Sequence, residues 1–133
     1  MARRSRRVLR YLYAKRQARS TSRADGPGYI YAFVDRGRRF KIGMTKNFAQ
    51  RRAQWDRQCP SPTRRWFPPI AVKRRRRAES LAHLLLEYHC ADRPKIRCAH
   101  CQKKHAEVFV FAGNGSLAWN DVVYPLLLRV SRA

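Results

Sequence analysis

Residues 28–52 read GYIYAFVDRGRRFKIGMTKNFAQRR, and this stretch decides the fold. Two short runs, 29–34 and 39–44, are rich in aromatic and β-branched residues. They flank Asp35-Arg36-Gly37-Arg38, whose glycine suits a tight connection, so the pair predicts a β-hairpin. Asn47 supplies an N-cap for a helix running to about Gln58, and Pro60 and Pro62 cannot continue it.

Working outward, Trp66 to Val72 reads as an edge strand interrupted by Pro68-Pro69. The basic run Lys73-Arg74-Arg75-Arg76-Arg77 leads into a helix over 78–89, with Leu81, Leu84, Leu85 and Tyr88 on its buried side. A loop over 92–104 holds Cys98 and Cys101, with His105 at its end. Residues 107–111 predict a third core strand, 113–116 a turn, and 117–130 a closing helix in which Pro125 permits a kink or a break. No internal repeat is visible. The order predicts an α/β (α+β) fold: a small sandwich with a short, mainly antiparallel three-stranded sheet flanked by helices. It leaves the first hairpin and first helix side by side, where a site can form.

Composition narrows the function. A chain of 133 residues with 44% apolar residues fits one modest domain with one core. Thirty-one Lys and Arg against eight Asp and Glu give a net charge of +23, which implies a polyanionic partner. Nucleic acid is the leading candidate. An anionic membrane surface would attract the same charge, but no apolar run approaches the roughly 18 residues of a spanning helix. The first 25 residues carry nine Arg and Lys and no acid before Asp25. That segment reads as a solvated basic arm, a nuclear-import patch or a mitochondrial presequence, all three of which imply an intracellular protein. Asp25-Gly26-Pro27-Gly28 then breaks any helix, so the division falls between an arm or targeting segment over 1–26 and a folded domain over 27–133.

The motifs in the quoted stretch resemble the GIY-YIG nuclease superfamily, in which one strand carries Gly-Ile-Tyr, the next Tyr-Ile-Gly, the following helix an arginine, and a later helix a glutamate. Tyr29-Ile30-Tyr31 occupies the first motif and Lys41-Ile42-Gly43 the second. Tyr29 thus stands where the hallmark has glycine, and Lys41 where it has the second tyrosine. Arg51 falls eight positions after Gly43, and Glu79 at the start of the later helix. The segments KIGMTKNFAQRRAQW, AESLAHLLLEYH and CAHCQKKHAEVF bring the resemblance closest to the bacteriophage open-reading-frame-172 DNA-binding branch, which also occurs in fungal proteins. The resemblance implies DNA binding and a divalent-metal-dependent endonuclease.

The chemistry of that reaction gives each residue a role. Phosphodiester hydrolysis needs an activated water, charge stabilisation on the non-bridging oxygens and help for the leaving oxygen. Glu79 can anchor Mg²⁺ or Mn²⁺, since a hard cation takes one or two carboxylates plus waters and phosphate. Glu79 reads equally as a helix-start carboxylate favoured by the macrodipole. Arg51 offers a planar fork for phosphate, Tyr31 a phenol for general base work, and Lys41 a phosphate contact or support for Tyr31. His83 lies one turn after Glu79 and resembles the histidine of this branch. Contacts to DNA are expected from Tyr29, Lys46, Arg52 and the run Lys73, Arg74, Arg75, Arg76 and Arg77.

The spacing Cys98-x2-Cys101-x3-His105 suits a zinc ion, with Cys59, Cys90, His89 and His100 available as a fourth ligand. The resemblance selects Cys59 and so implies a structural Zn²⁺. Thiols in a reducing compartment are the other reading. Two further function classes stay open: a non-catalytic DNA- or RNA-binding module with Tyr29, Trp55 or Trp66 as stacking platforms, and a basic structural or interaction protein. The sequence leaves the oligomeric state open.

Overall fold

Strand β1 (Gly28–Asp35) is buried on both sides, with Ile30, Ala32 and Val34 facing one layer and Tyr31 and Phe33 the other. A strand alternates its side chains between two faces, so five consecutive buried apolar residues require cover above and below the sheet. A computed structural model describes residues 3–94, 96–97, 104–105, 107–113 and 115–133, the side chains of 96, 97, 104 and 105 excepted, and supplies that cover.

β1 pairs antiparallel with β2 (Arg39–Thr45) in the register Tyr31↔Gly43 and Asp35↔Arg39. The turn between them uses two successive left-handed residues, Arg36 at φ 52° and Gly37 at φ 72°. On its other edge β1 is paired twice, first by β3 (Arg65–Trp66) and then by β4 (Ile70–Val72). The expected single edge strand is split because Pro68 and Pro69 have no N–H to give the ladder. After a two-stranded ribbon, β5 (Ile96–Arg97) with β6 (Lys104–His105), strand β7 (Val108–Val110) closes the sheet against β2. The sheet therefore has five antiparallel strands rather than three, ordered β3-β1-β2-β7 with β4 also on β1.

Helix α2 (Phe48–Gln58) covers the Tyr31 and Phe33 face, and its N-cap Asn47 accepts from the Gln50 amide at 3.0 Å. The other face is covered by α3 (Arg75–His89) and by a C-terminal run of α4 (Gly115–Ala118), a π-helical segment Trp119–Val123 and α5 (Tyr124–Ser131). The π segment sits just before Pro125, whose missing N–H leaves the ladder open there. The expected kink is thus a change of helical pitch.

The buried side of α3 differs from expectation. Ala78, Leu81, Ala82 and Leu86 face the sheet, whereas Leu84, Leu85 and Tyr88 are only half-buried. The reason is α1 (Arg6–Ala18), a helix that docks along α3 and takes up that flank. Leu9 is buried, and Leu9, Arg10 and Tyr13 line one cavity with Leu84, Leu85 and Tyr88. Residues 6–18 are therefore not a solvated arm but a layer of the fold. Arg77 fastens the end of α1 by donating to the carbonyls of Arg16, Gln17 and Arg19, the shortest at 2.8 Å. Asp25 in turn caps α3, accepting from the Arg76 and Arg77 amides at 2.8 and 2.9 Å, while the N-cap residue Arg74 makes no side-chain capping bond.

The start of the chain is held by Glu87, which is 1% exposed. Its carboxylate accepts from the Arg4 amide at 2.8 Å, the Arg4 guanidinium at 2.8 Å and the Arg93 guanidinium at 2.6 Å. Burial alone would raise this carboxyl, yet the Arg4 bonds and the two cations pull it down to about 2. A carboxyl depressed in the folded state stabilises fully above its ordinary pKa and loses that contribution as pH falls through the folded value. Glu87→Gln should therefore lower unfolding free energy by about 3 kcal/mol at neutral pH. The gap to the parent protein, followed by urea denaturation, should close as pH drops from 4.5 towards about 2.

Candidate nucleic-acid and metal site

Tyr31 and Gly43 face each other across the hairpin, and the phenol lies where a side chain at 43 would be. A Cβ added to Gly43 would overlap Cζ and Oη of Tyr31. Glycine here makes room for a ring. The phenol oxygen accepts from Trp55 Nε1 at 3.1 Å and from Arg51 Nε at 3.4 Å, both on α2. The Arg51 guanidinium also stands 5.6 Å from the Trp55 ring centre. One turn of helix separates positions 51 and 55, so α2 sends both donors to one oxygen.

Lys41 lies two residues before Gly43 on the same face of β2. Its ammonium is buried and reaches Glu107 at 2.8 Å, just ahead of β7. Glu79 and His83 approach the same edge from α3. β7 pairs with β2 only as far as Lys41↔Val108, so the backbone groups beyond it need other partners. His83 Nε2 meets the Ile42 carbonyl at 2.9 Å, and the Met44 backbone donates towards Glu79. Because a carbonyl only accepts, Nε2 carries the proton. Burial and the Lys41 and Arg93 charges hold His83 below its ordinary pKa against the Ile42 bond and Glu107, which favours a neutral ring with Nδ1 free of a proton. Burial and the Glu107 charge raise the Glu79 carboxyl, with Lys41, Met44 and Arg51 pulling the other way.

Glu79, His83 and Glu107 each bring one ligand atom within 4.8 Å of the others. Two carboxylates and an imidazole fit a divalent cation of the Mg²⁺ or Mn²⁺ kind. Lys41 already partners Glu107, so the cluster balances one fixed cation against the charge it can add. The structure thus gathers Tyr31, Lys41, Arg51, Glu79 and His83 around the end of β2.

The basic residues divide. Lys46, Arg52, Lys73, Arg74 and Arg76 are exposed, and Tyr29 is partly so. Arg75 and Arg77 turn inward instead: Arg75 is buried and donates to the Pro27 carbonyl, and Arg77 ties α1 to α3. The run over 73–77 is therefore only partly exposed. Trp55 is buried under Tyr31, and Trp66 packs on Phe33 and Phe48. The Trp55 ring fills the α2 layer, whereas Trp66 stays partly exposed at its edge.

Cys59 is buried beside Tyr31, Phe33 and Trp55 at the end of α2. Cys98, Cys101 and the His105 side chain lie outside the described residues, as does His100. Burial and then Glu87 push the Cys90 thiol up to about 11. Sequence reasoning left Glu107 without a role. Its signal was rarity, one of eight acids in a chain of +23, placed directly before a core strand.

The T5orf172 domain model matches residues 28–124. No curated protein and no solved structure shows a significant match to this chain. No helix among the described residues is long and apolar enough to cross a membrane. The tight packing at 43 has a measurable outcome. Gly43→Ala should cost about 1–3 kcal/mol, and Gly43→Ala with Tyr31→Ala should cost less than the sum of the two singles by at least about 0.5 kcal/mol in chemical denaturation.

Proposed function

We propose that this chain, which belongs to the T5orf172 domain family, binds DNA and hydrolyses its phosphodiester bonds with the help of a divalent metal ion. The observation that carries this reading is the Glu79–His83–Glu107 cluster beside Lys41, with the Arg51 of the Tyr31–Arg51 pair near enough for its charge to act on the Glu79 carboxyl. The charge of +23 supports a polyanionic substrate, and phosphate contacts of this kind give affinity with little sequence information.

Arg51 is the phosphate fork: its Nε points at the Tyr31 oxygen and its Nη1 at Gln54 Oε1, which leaves Nη2 to face a non-bridging oxygen of the scissile group. Tyr31 Oη, oriented by two donors, would act as a phenolate that takes a proton from the attacking water and becomes the phenol. Lys41 holds Glu107 in place and adds positive charge to the phosphate site. Glu79, Glu107 and His83 Nδ1 would hold Mg²⁺ or Mn²⁺, which when bound supplies charge neutralisation for the leaving oxygen. Cys59 with Cys98, Cys101 and His105 remains the proposed set for a structural Zn²⁺.

A second reading is a DNA-binding module without turnover. It is favoured by the burial of Tyr31, at 2% exposure, and by the ammonium of Lys41 on the Glu107 carboxylate. Labelled single- and double-stranded DNA, with and without Mg²⁺ or Mn²⁺, separates the two. The nuclease should cut only with metal, and Tyr31→Phe, Arg51→Ala and Glu79→Gln should each slow cutting by about 10²–10⁴ with small changes in affinity. Undiminished cutting by all three variants sinks the assignment. Salt-sensitive binding with no cutting under any metal leaves the binding module.

A further inference from the structure

His83 and Glu107 also line a second space, an open cavity of about 450 Å³ between α1 and α3. Tyr31 and Arg51 take no part in it, so it extends the site rather than repeating it. Among the described residues five cations surround it: Arg4, Lys15, Arg16, Arg19 and Arg93. Glu107 is its one carboxylate, and that is already paired with Lys41 at 2.8 Å. Glu87 partly neutralises Arg4 and Arg93. The sign of the cavity therefore rests on Lys15, Arg16 and Arg19.

These three belong to α1 and its end, which precede the residues matched by the family. Arg16 is fixed by a 2.8 Å bond from its Nε to Ser80 Oγ on α3, which sets its guanidinium at the wall of the cavity. Burial and then the neighbouring charges of Arg19 and Arg77 hold it below its ordinary pKa, against the pull of Asp25. Cations crowded in this way gain from a shared anion. Apolar lining comes from Leu12, one turn before Arg16 on α1, and Leu84, one turn after Ser80 on α3. The volume exceeds what a bare phosphate needs and lies in the range of small-molecule sites, about 300–1,000 Å³.

We propose that this cavity takes one nucleotide of the bound DNA strand, its phosphate on Lys15, Arg16 and Arg19 and its sugar or base against Leu12 and Leu84. The strand then continues past His83 and Glu107, which the cavity shares with the metal cluster. This inference rests on the DNA-binding reading above and adds to it a role for α1: the helix is a second wall of the nucleic-acid groove. Such contacts position the strand and carry no sequence information.

The test uses the full chain in chelator, so that no cutting occurs, with fluorescent single- and double-stranded oligonucleotides titrated between about 50 and 200 mM salt. Lys15→Gln with Arg19→Gln removes two exposed charges at the cavity, and Arg36→Asn with Arg38→Gln removes two at the hairpin turn. The cavity pair should weaken binding about tenfold at low salt and flatten the slope of log Kd against log salt by about 1–2 units. The hairpin pair should change the slope less than half as much. Equal losses from the two pairs, or none from either, overturn the cavity assignment while leaving DNA binding intact. A parent protein whose affinity is flat across the same salt range overturns DNA binding itself, and this inference with it.

Discussion

The constraint on which the rest of the structure depends is an unfinished sheet edge. β7 is three residues long and leaves β2 after Lys41, so the peptide groups of Ile42 and Met44 face α3 without a strand to bond. Buried backbone groups must find partners, and here side chains do the work of a strand. His83 takes the Ile42 carbonyl and Glu79 the Met44 amide. The same bonds fix where the imidazole and the carboxylate stand. Glu107 enters as the residue immediately before β7 and meets them there. Completion of the sheet and assembly of the site are one event.

The second constraint lies on the opposite face. Because β1 is covered on both sides, its Tyr31 and Phe33 pack under α2 while its even-numbered aliphatics form the main core. Tyr31 sits in the smaller layer and needs Gly43 beneath it. α2 then has to present Trp55 and Arg51 together, since a buried phenol oxygen needs polar company. The site forms at the end of β2, where the α2 layer and the α3 edge come within reach of each other, bridged by Lys41.

A chain of +23 repels itself, and four of its eight acids each hold cations or helix amides in place. Asp25 caps α3 from outside the helix, Glu87 gathers Arg4 and Arg93, Asp56 takes Arg64 at 3.1 Å, and Glu107 takes Lys41. Arginine is used in the same way: Arg75 and Arg77 pack inward although they sit in the most basic run of the sequence. Charge density along the chain is therefore a poor map of charge at the surface.

By itself the sequence determined the elements whose signals are local. The hairpin over 28–45, the Asn47 cap, the proline stop after α2 and the strand after Glu107 all depend on neighbours in the chain, and the net charge depends on composition alone. The positions of Tyr31, Arg51, Glu79 and His83 could be picked out from spaced motifs. Their meeting could not, because it is set by how far β7 runs along β2. Tertiary structure alone decided that residues 6–18 form a helix of the fold, since a basic stripe with Leu9 and Leu12 looks the same whether it is solvated or docked. The outcome turned on contacts far apart in the chain, Leu9 burying against α3, Arg77 reaching the last carbonyls of α1 and Glu87 holding Arg4, 83 residues away, and none of these partners is marked in the sequence.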